Sequence, residues 1–352
     1  RSEREALVTR NAIAPLLVAV GMASLAAAAV SALSLAAPPV AGAAPVGAPP
    51  VPLAGPPCVI TGTKTLRPDV VRLGGDITVT LAARFSCPGA LPPLHVVLAL
   101  DGSAALDDAV SNDMKRAVSA FARGLLRSGG AGTEVGVVEV GPIARTLCPL
   151  GDNEARVMAC VSRVGNTGAM RADGGVMEAM RVVAQRRGRD TSPRREAIVL
   201  VASGRSLKEC LSLANVWRQA AGQGILLASV CIGRDCPSPC LPGAASSPRW
   251  ALDVPDPADL PTALGRLEMA LTTAAARSLE VRERVGASMD VVADGAMPPA
   301  YVASPLVYWG EVWPPGPSVT FTLRLRPTRL GHWPADTEAS ASLRAFDGDL
   351  QT

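Results

Sequence analysis

HVVLALDGSAAL, His95 to Leu106, decides how this chain is read. Val96 to Leu100 form an unbroken apolar run, the pattern of a strand covered on both faces rather than one with a wet side. The run stops at Asp101, and Ser103 follows two residues later. An acid and a hydroxyl therefore sit where a buried strand gives way to a loop. In an open parallel sheet, ligands bind at such strand ends.

The sequence downstream keeps the rhythm of that kind of sheet. DDAVSNDMKRAVSAFARGLLRSGG is amphipathic, with Met114, Val118, Phe121, Leu125 and Leu126 near helical spacing and a double-glycine stop. TEVGVVEVG reads as a second strand. The helical segments NEARVMACVSRV and VMEAMRVVAQRR come next. The strand AIVLVAS, the helix SLANVWRQAAGQG and the strand ILLASVCIG follow, with a last helix expected over Pro257 to Ala276. Strands alternating with helices predict a doubly wound, mostly parallel, Rossmann-like α/β domain over residues 92–276.

Both flanks have β character. Residues 58–91 hold two candidate strands around Gly74-Gly75, and a lone hairpin is marginal in water. SVTFTLRLRP, Ser318 to Pro327, alternates with period two. PPAYVASPLVYWG, ASASLRAF and Arg277 to Arg284 also read as strands. The expectation is one β-sandwich-like module built from 58–91 and 277–352, with the α/β domain inserted.

The N-terminus sets the expected compartment. Residues 11–37 carry no charge and can span the ~30 Å hydrocarbon core of a bilayer as a transmembrane helix. Arg1, Arg4 and Arg10 precede that run and no lysine or arginine follows before Lys64, which places residues 1–10 in the cytoplasm and the bulk outside. SLAA and AGAA offer cleavage sites for the alternative, a signal peptide. The run exceeds the length of a signal h-region, which favours an uncleaved anchor. Residues 38–57, rich in proline and alanine, form an extended stalk of ~60 Å at the polyproline rise.

Eight cysteines, at 58, 87, 148, 160, 210, 231, 236 and 240, all lie beyond the apolar block, and an even number in an exported chain predicts disulfides. Cys58 with Cys87 and Cys148 with Cys160 are natural local pairs. Zinc at CIGRDCPSPC is disfavoured, because no matching histidine or CxxC lies nearby.

HVVLALDGSAAL resembles the opening of a von Willebrand factor A domain, whose first buried strand runs into an Asp-x-Ser-x-Ser signature. EVGVVEVGPIA resembles the second strand of that family and GNTGAM its glycine–threonine loop. AIVLVASGRS is similar to the strand that normally ends in Thr-Asp-Gly. GILLASVCIG, with ASSPRWALDVPDPADLPTAL, is similar to the last strand, loop and helix. The resemblance covers roughly residues 93–275. It implies a metal-ion-dependent adhesion site that holds Mg²⁺ or Mn²⁺ through hard oxygens. Asp101, Ser103 and Thr167 match that pattern. Ala105 stands where the second serine belongs and Ser203 where the second aspartate belongs. Asp173 is a candidate to restore the missing charge. One carboxylate and two hydroxyls compensate a divalent ion poorly, so only weak cation binding is expected. Asp101 is expected instead to accept hydrogen bonds from loop amides and Ser103.

The resemblance implies a function in protein–protein interaction, as adhesion or surface-complex assembly, with a binding face at Asp101, Ser103, Ala105, Thr167 and Ser203 and no required cofactor. A constitutive structural subunit of an envelope complex and a metal-dependent receptor are the alternatives. Catalysis is not expected. Only His95 and His332 are available as bases, and VASGR lacks a nucleophile elbow. No glycine-rich phosphate loop follows a strand, which argues against nucleotide. A net charge of +3 argues against nucleic acid. The basic run Gln185 to Arg195 reads as a solvated loop. Tyr308, Trp309, Trp313 and Trp333 read as core of the β module.

Overall fold

The computed structural model describes residues 58–352, apart from 88–90, 167, 191, 207–209, 241–244, 275, 315, 332–334, 345, 347–349 and 352. The expected anchor and stalk, residues 1–57, and His332 and Trp333 lie outside the described residues. Among the described residues no helix is long and apolar enough to cross a membrane.

The chain enters through strands β1 (Val59–Arg67) and β2 (Ile77–Ser86), an antiparallel hairpin whose ends are joined by the Cys58–Cys87 disulfide. The α/β region follows. It contains β3 (Leu94–Asp101), α1 (Asp108–Ser128), β4 (Glu134–Val140), β5 (Arg145–Gly151), α2 (Glu154–Ser162), α3 (Ala172–Arg187) and β6 (Arg195–Ser203). It continues with α4 (Cys210–Gly222), β7 (Leu226–Ile232), β8 (Ala251–Val254) and α5 (Leu260–Thr273). The sheet order is β5-β4-β3-β6-β7-β8, parallel except for β5.

The apolar run of β3 is buried along its whole length, as its composition requires. Val96, Leu98 and Leu100 face α1, α2 and α5, whereas Val97 and Ala99 face α3 and α4. β6 and β7 divide their side chains between the same two cores. Two-sided burial removes the polar alternation that a half-exposed strand would show. Asp107 Oδ1 starts α1 by accepting from Val110 N at 2.9 Å, and Met114, Val118, Phe121 and Leu125 form its buried stripe. The expected helix at Pro257 opens as a 3₁₀ turn before α5.

Two short strands escape the sequence pattern. β5 is an antiparallel edge strand, and its Cys148 is bonded to Cys160 of α2. β8, a four-residue strand, makes β7 an inner strand rather than the last one. β8 is too short to show a period, and β5 carries Pro149 and pairs with β4 through register shifts, so its pattern is broken.

The chain returns to β structure with β9 (Ser278–Val285), β10 (Met289–Met297), β11 (Tyr301–Ala303), β12 (Leu306–Val312), β13 (Ser318–Pro327), β14 (Asp336–Arg344) and β15 (Leu350–Gln351). PPAYVASPLVYWG is thus a hairpin, turning at Ser304-Pro305, rather than one strand. Two antiparallel sheets form, β1-β2-β13-β10 and β11-β12-β9-β14-β15. β13 pairs with β2 from Ser318 opposite Arg84 to Leu325 opposite Ile77, so the early hairpin finds its partner more than 230 residues away. The two sheets share a core of Val79, Leu81, Phe85, Val281, Trp309, Phe321 and Leu323, in which the Trp309 and Phe321 rings lie 5.5 Å apart. Trp309 is buried in this core as expected, whereas Trp313 packs into the core of the α/β region against Phe346, and Tyr308 is only half-buried.

The basic run is only partly solvated. Arg186 pairs with Glu134 at 2.8 Å, Arg187 pairs with Glu196, and Arg195 is 1% exposed. Arg195 lies where β6 begins, and its guanidinium reaches carbonyls that the linear sequence does not place near it.

Candidate functional site at the carboxyl ends of the strands

β3 leads into α1 on one face of the sheet, and the neighbouring β6 leads toward α4 on the other. Such a divergence opens a crevice between adjacent strand ends. Asp101 and Ser203, the last residues of β3 and β6, meet there.

Asp101 is fully buried and both of its oxygens are engaged. Oδ1 accepts from Ser103 N at 2.9 Å and Oδ2 from Ser203 N at 3.0 Å. Charge-assisted bonds to backbone amides let a carboxylate remain in a dry site. Ser103 is also buried, and its Oγ accepts from Ala105 N at 3.3 Å, a local turn that shapes the loop. The loop is tied to the strand beside it and to the second loop through Gly102 N to Val140 O (2.9 Å) and Ala104 N to Gly168 O (3.0 Å). Gly168 has φ +73, and a Cβ there would lie 2.5 Å from Pro142 Cγ. Only glycine fits that backbone and that space.

Thr167 lies outside the described residues. Its neighbour Asn166 donates from Nδ2 to Asp108 Oδ1 at 3.1 Å, and Asn166 Oδ1 is buried without a partner. Asp173 occupies the first turn of α3, 3.2 Å from Arg171 Nη2. Its Oδ1 is buried and unpartnered.

One buried acid escaped the sequence reading. Glu139 interrupts the apolar β4 one residue before its end and is 6% exposed. It accepts from the Gly165 amide and from Arg145 Nε. Its Cγ lies 2.8 Å from where a Cβ at residue 102 would be. Glu139 thus braces both loops from below. The signal that could have found it is an acid inside an otherwise apolar strand, EVGVVEV.

Beside these loops lies a cleft of about 690 Å³. Its walls include Ala105, Leu106, Ser203, Arg205, Arg234 and Asp235, together with Asp107 and Asp256. Of the five expected face residues, Ala105 and Ser203 line the cleft, while Asp101 and Ser103 lie beneath its surface. Arg205 Nε donates to Asp235 Oδ2 at 2.7 Å. Asp107 caps α1, and Asp256 accepts from Ala258 N at 3.0 Å. Arg234, exposed, has no ion-pair partner among the described residues. It sits in the six-residue loop closed by the Cys231–Cys236 disulfide, which fixes this side of the rim. Cys240 is also disulfide-bonded.

As a divalent-cation site the arrangement is a poor fit. Ala105 brings no oxygen, Ser203 brings a hydroxyl in place of a carboxylate, and Asp101 already serves two amides. Two guanidinium groups share the rim. Among the described residues, the single group of three candidate ligands within 4.8 Å is Cys231, Cys236 and Asp253, and both of its sulfurs are in a disulfide. His95 is buried at the opposite end of β3, with Nε2 3.8 Å from Glu134.

No curated relative matches the chain in sequence. Among solved structures, a von Willebrand factor type A protein from Catenulispora acidiphila superimposes with a TM-score of 0.57, at 14% identity, covering 82% of this chain and 70% of that one. The three N-terminal domains of the type V pili tip protein Mfa5 from Porphyromonas gingivalis give 0.43 at 13% identity, covering 84% and 77%. Proximal thread matrix protein 1 from the mussel byssus gives 0.45 at 17%, covering 55% and 49%. The sequence pattern of the von Willebrand factor type A domain matches residues 95–266, the stretch that holds the parallel sheet and the cleft. Residues 95–266 of this chain form a von Willebrand factor type A domain.

Proposed function

We propose that this chain is a non-catalytic interaction protein whose A domain offers the strand-end cleft to a protein partner without a bridging metal. The observation that carries this reading is the pairing of a self-satisfied Asp101 with an open cleft rimmed by Arg205 and Arg234. The acid that would help hold a cation serves the backbone, while the exposed charges stand on rigid loops beside it. Adhesion and assembly of a surface complex both use such a face. The uncharged run 11–37, the proline-rich stalk and the disulfides support presentation outside a membrane, anchored by the N-terminus.

Two measurements test the reading. Titration with Mg²⁺ or Mn²⁺ is expected to show no binding below millimolar concentration. Micromolar affinity abolished by Asp101→Ala would establish a metal-dependent receptor instead. Affinity capture from native membranes in EDTA is expected to retain a partner that the Arg205→Ala/Arg234→Ala double variant loses. Equal capture by the variant would move the binding face elsewhere. Protease treatment of intact cells, releasing the folded region, checks the proposed location.

A further inference from the structure

A lysine and a glutamate meet inside the β module, between its two sheets. Lys64 lies on β1, at the edge of one sheet, and Glu283 lies on β9 of the other. Val281, Glu283 and Val285 alternate with exposed Arg282 and Arg284, so Glu283 takes a core position. It is 0% exposed, and the Lys64 side chain is 24% exposed. Lys64 Nζ stands 2.7 Å from Glu283 Oε1, across 219 residues of sequence.

As a salt bridge the pair is poorly served. Glu283 Oε2 is buried without a hydrogen-bond partner, so the carboxylate loses its hydration and gains little in return. The surroundings are apolar, with Ile60, Leu81, Val281 and Phe321 lining the groove that Lys64 also lines. Burial pushes the Glu283 carboxyl up, against the opposing pull of Lys64. A proton passing from Nζ to the carboxyl removes both charges from the interior. It leaves a neutral amine, a nucleophile, beside a neutral acid.

We infer that Lys64 and Glu283 condense into an amide that ties the two sheets of the β module covalently. Nζ attacks Cδ, the N–C bond forms and the C–Oε2 bond breaks. Two protons from the nitrogen leave with Oε2 as water, so the step needs no oxidant, reductant or other co-reactant. The oxygen that departs is the one no group in the fold satisfies, and Oε1 stays as the amide carbonyl. The groove, about 450 Å³, gives the water a way out. Water ordinarily opposes amide formation. Two groups fixed in contact, however, react at effective concentrations of roughly 10⁵–10⁸ M, well above that of water itself. The Cys58–Cys87 disulfide closes only the β1–β2 hairpin, and β1 pairs with no strand of the second sheet. The amide supplies that tie.

The test is the mass of the full 352-residue chain, denatured and with its disulfides reduced. The expected value is one water below the mass of the sequence. Lys64→Arg and Glu283→Ala are each expected to restore the full mass, and a circular dichroism melt verifies that Lys64→Arg is folded. Tryptic digestion of the wild type is expected to yield a branched peptide joining the Lys64 and Glu283 segments, with fragment ions placing the bond between those two side chains. A folded wild type at the full sequence mass would overturn the inference. So would a missing water that persists in Lys64→Arg, or fragment ions that place the bond on another carboxyl.

Discussion

Asp101 and Arg195 are charges buried at opposite ends of neighbouring strands, and they end differently. Asp101 closes β3 at the carboxyl end of the sheet, and Arg195 opens β6 at the amino end. Among the described residues, neither has an opposite charge in an ion pair with it. Asp101 accepts from two backbone amides. Arg195 donates to the carbonyls of Pro92, Gly129, Leu271, Thr272 and Ala274, and it lies 5.9 Å from the Phe346 ring. The carbonyls of Leu271 and Thr272 close α5 and that of Gly129 caps α1, so a cation meets the negative ends of two helices. Burial lowers the Arg195 guanidinium to about 10, which still leaves it charged at neutral pH. The backbone itself can thus neutralise a buried charge of either sign. The difference lies in what surrounds each one: Arg195 is sealed by packing, whereas Asp101 lies beneath a cleft.

The comparison is broken most forcefully at Arg195. Arg195→Met keeps most of the stem but strands several carbonyls, and it should cost about 3–5 kcal/mol in urea unfolding. The exposed Arg189→Met should stay within ~0.5 kcal/mol. Equal effects would show that the carbonyl cluster contributes nothing.

Asp101→Ala leaves two amides without an acceptor and should destabilise by about 2–3 kcal/mol. Its sharper readout is the response to cation. If Asp101 serves the fold alone, millimolar Mg²⁺ shifts the unfolding midpoint of neither protein. A bound ion would stabilise wild type and not the variant, by an amount that grows with its concentration.

His95 supplies a smaller, pH-dependent contrast at the amino end. Burial lowers its pKa below 6.5, opposed by Glu134 and Glu196 and reinforced by Arg194 and Arg186. The unfolded chain therefore binds more protons as pH falls below 6.5, and stability falls with it. His95→Gln should flatten that slope below pH 6.5 in denaturant unfolding followed across pH. An unchanged slope would assign the acid sensitivity to the carboxylates.

These contrasts also explain what could be read from the sequence. HVVLALD announces its strand because two-sided burial leaves only apolar residues between its ends. Ser318–Pro327 announces itself through its alternation. The pairs Cys58–Cys87 and Cys148–Cys160 were legible because each closes a local element. Arg195 was not, since the carbonyls it binds come from residues 66 to 103 positions away. Glu139 hid for a similar reason, as its amide donor comes from a loop 26 residues on. β5 and β8 are edge strands defined by their neighbours rather than by any period of their own. At the site, family spacing located Asp101, Ser103 and Ser203. The burial of Asp101 and Ser103 depends on loop closure, which spacing does not report.

Arg234 should give the smallest effect on stability and the most specific one on function. It is exposed, makes no ion pair among the described residues, and its loop is held by Cys231–Cys236 rather than by its own side chain. Arg234→Ala should therefore change unfolding free energy by less than ~0.5 kcal/mol. A rim charge acts mainly on encounter, so the variant should slow capture of the proposed protein partner and weaken its salt dependence. Arg195→Met should do the reverse, lowering stability while the protein that remains folded captures partner normally. A variant at Arg234 that melts early, or one that captures partner at the wild-type rate in low salt, would erase the division between a charge that serves the fold and a charge that serves the cleft.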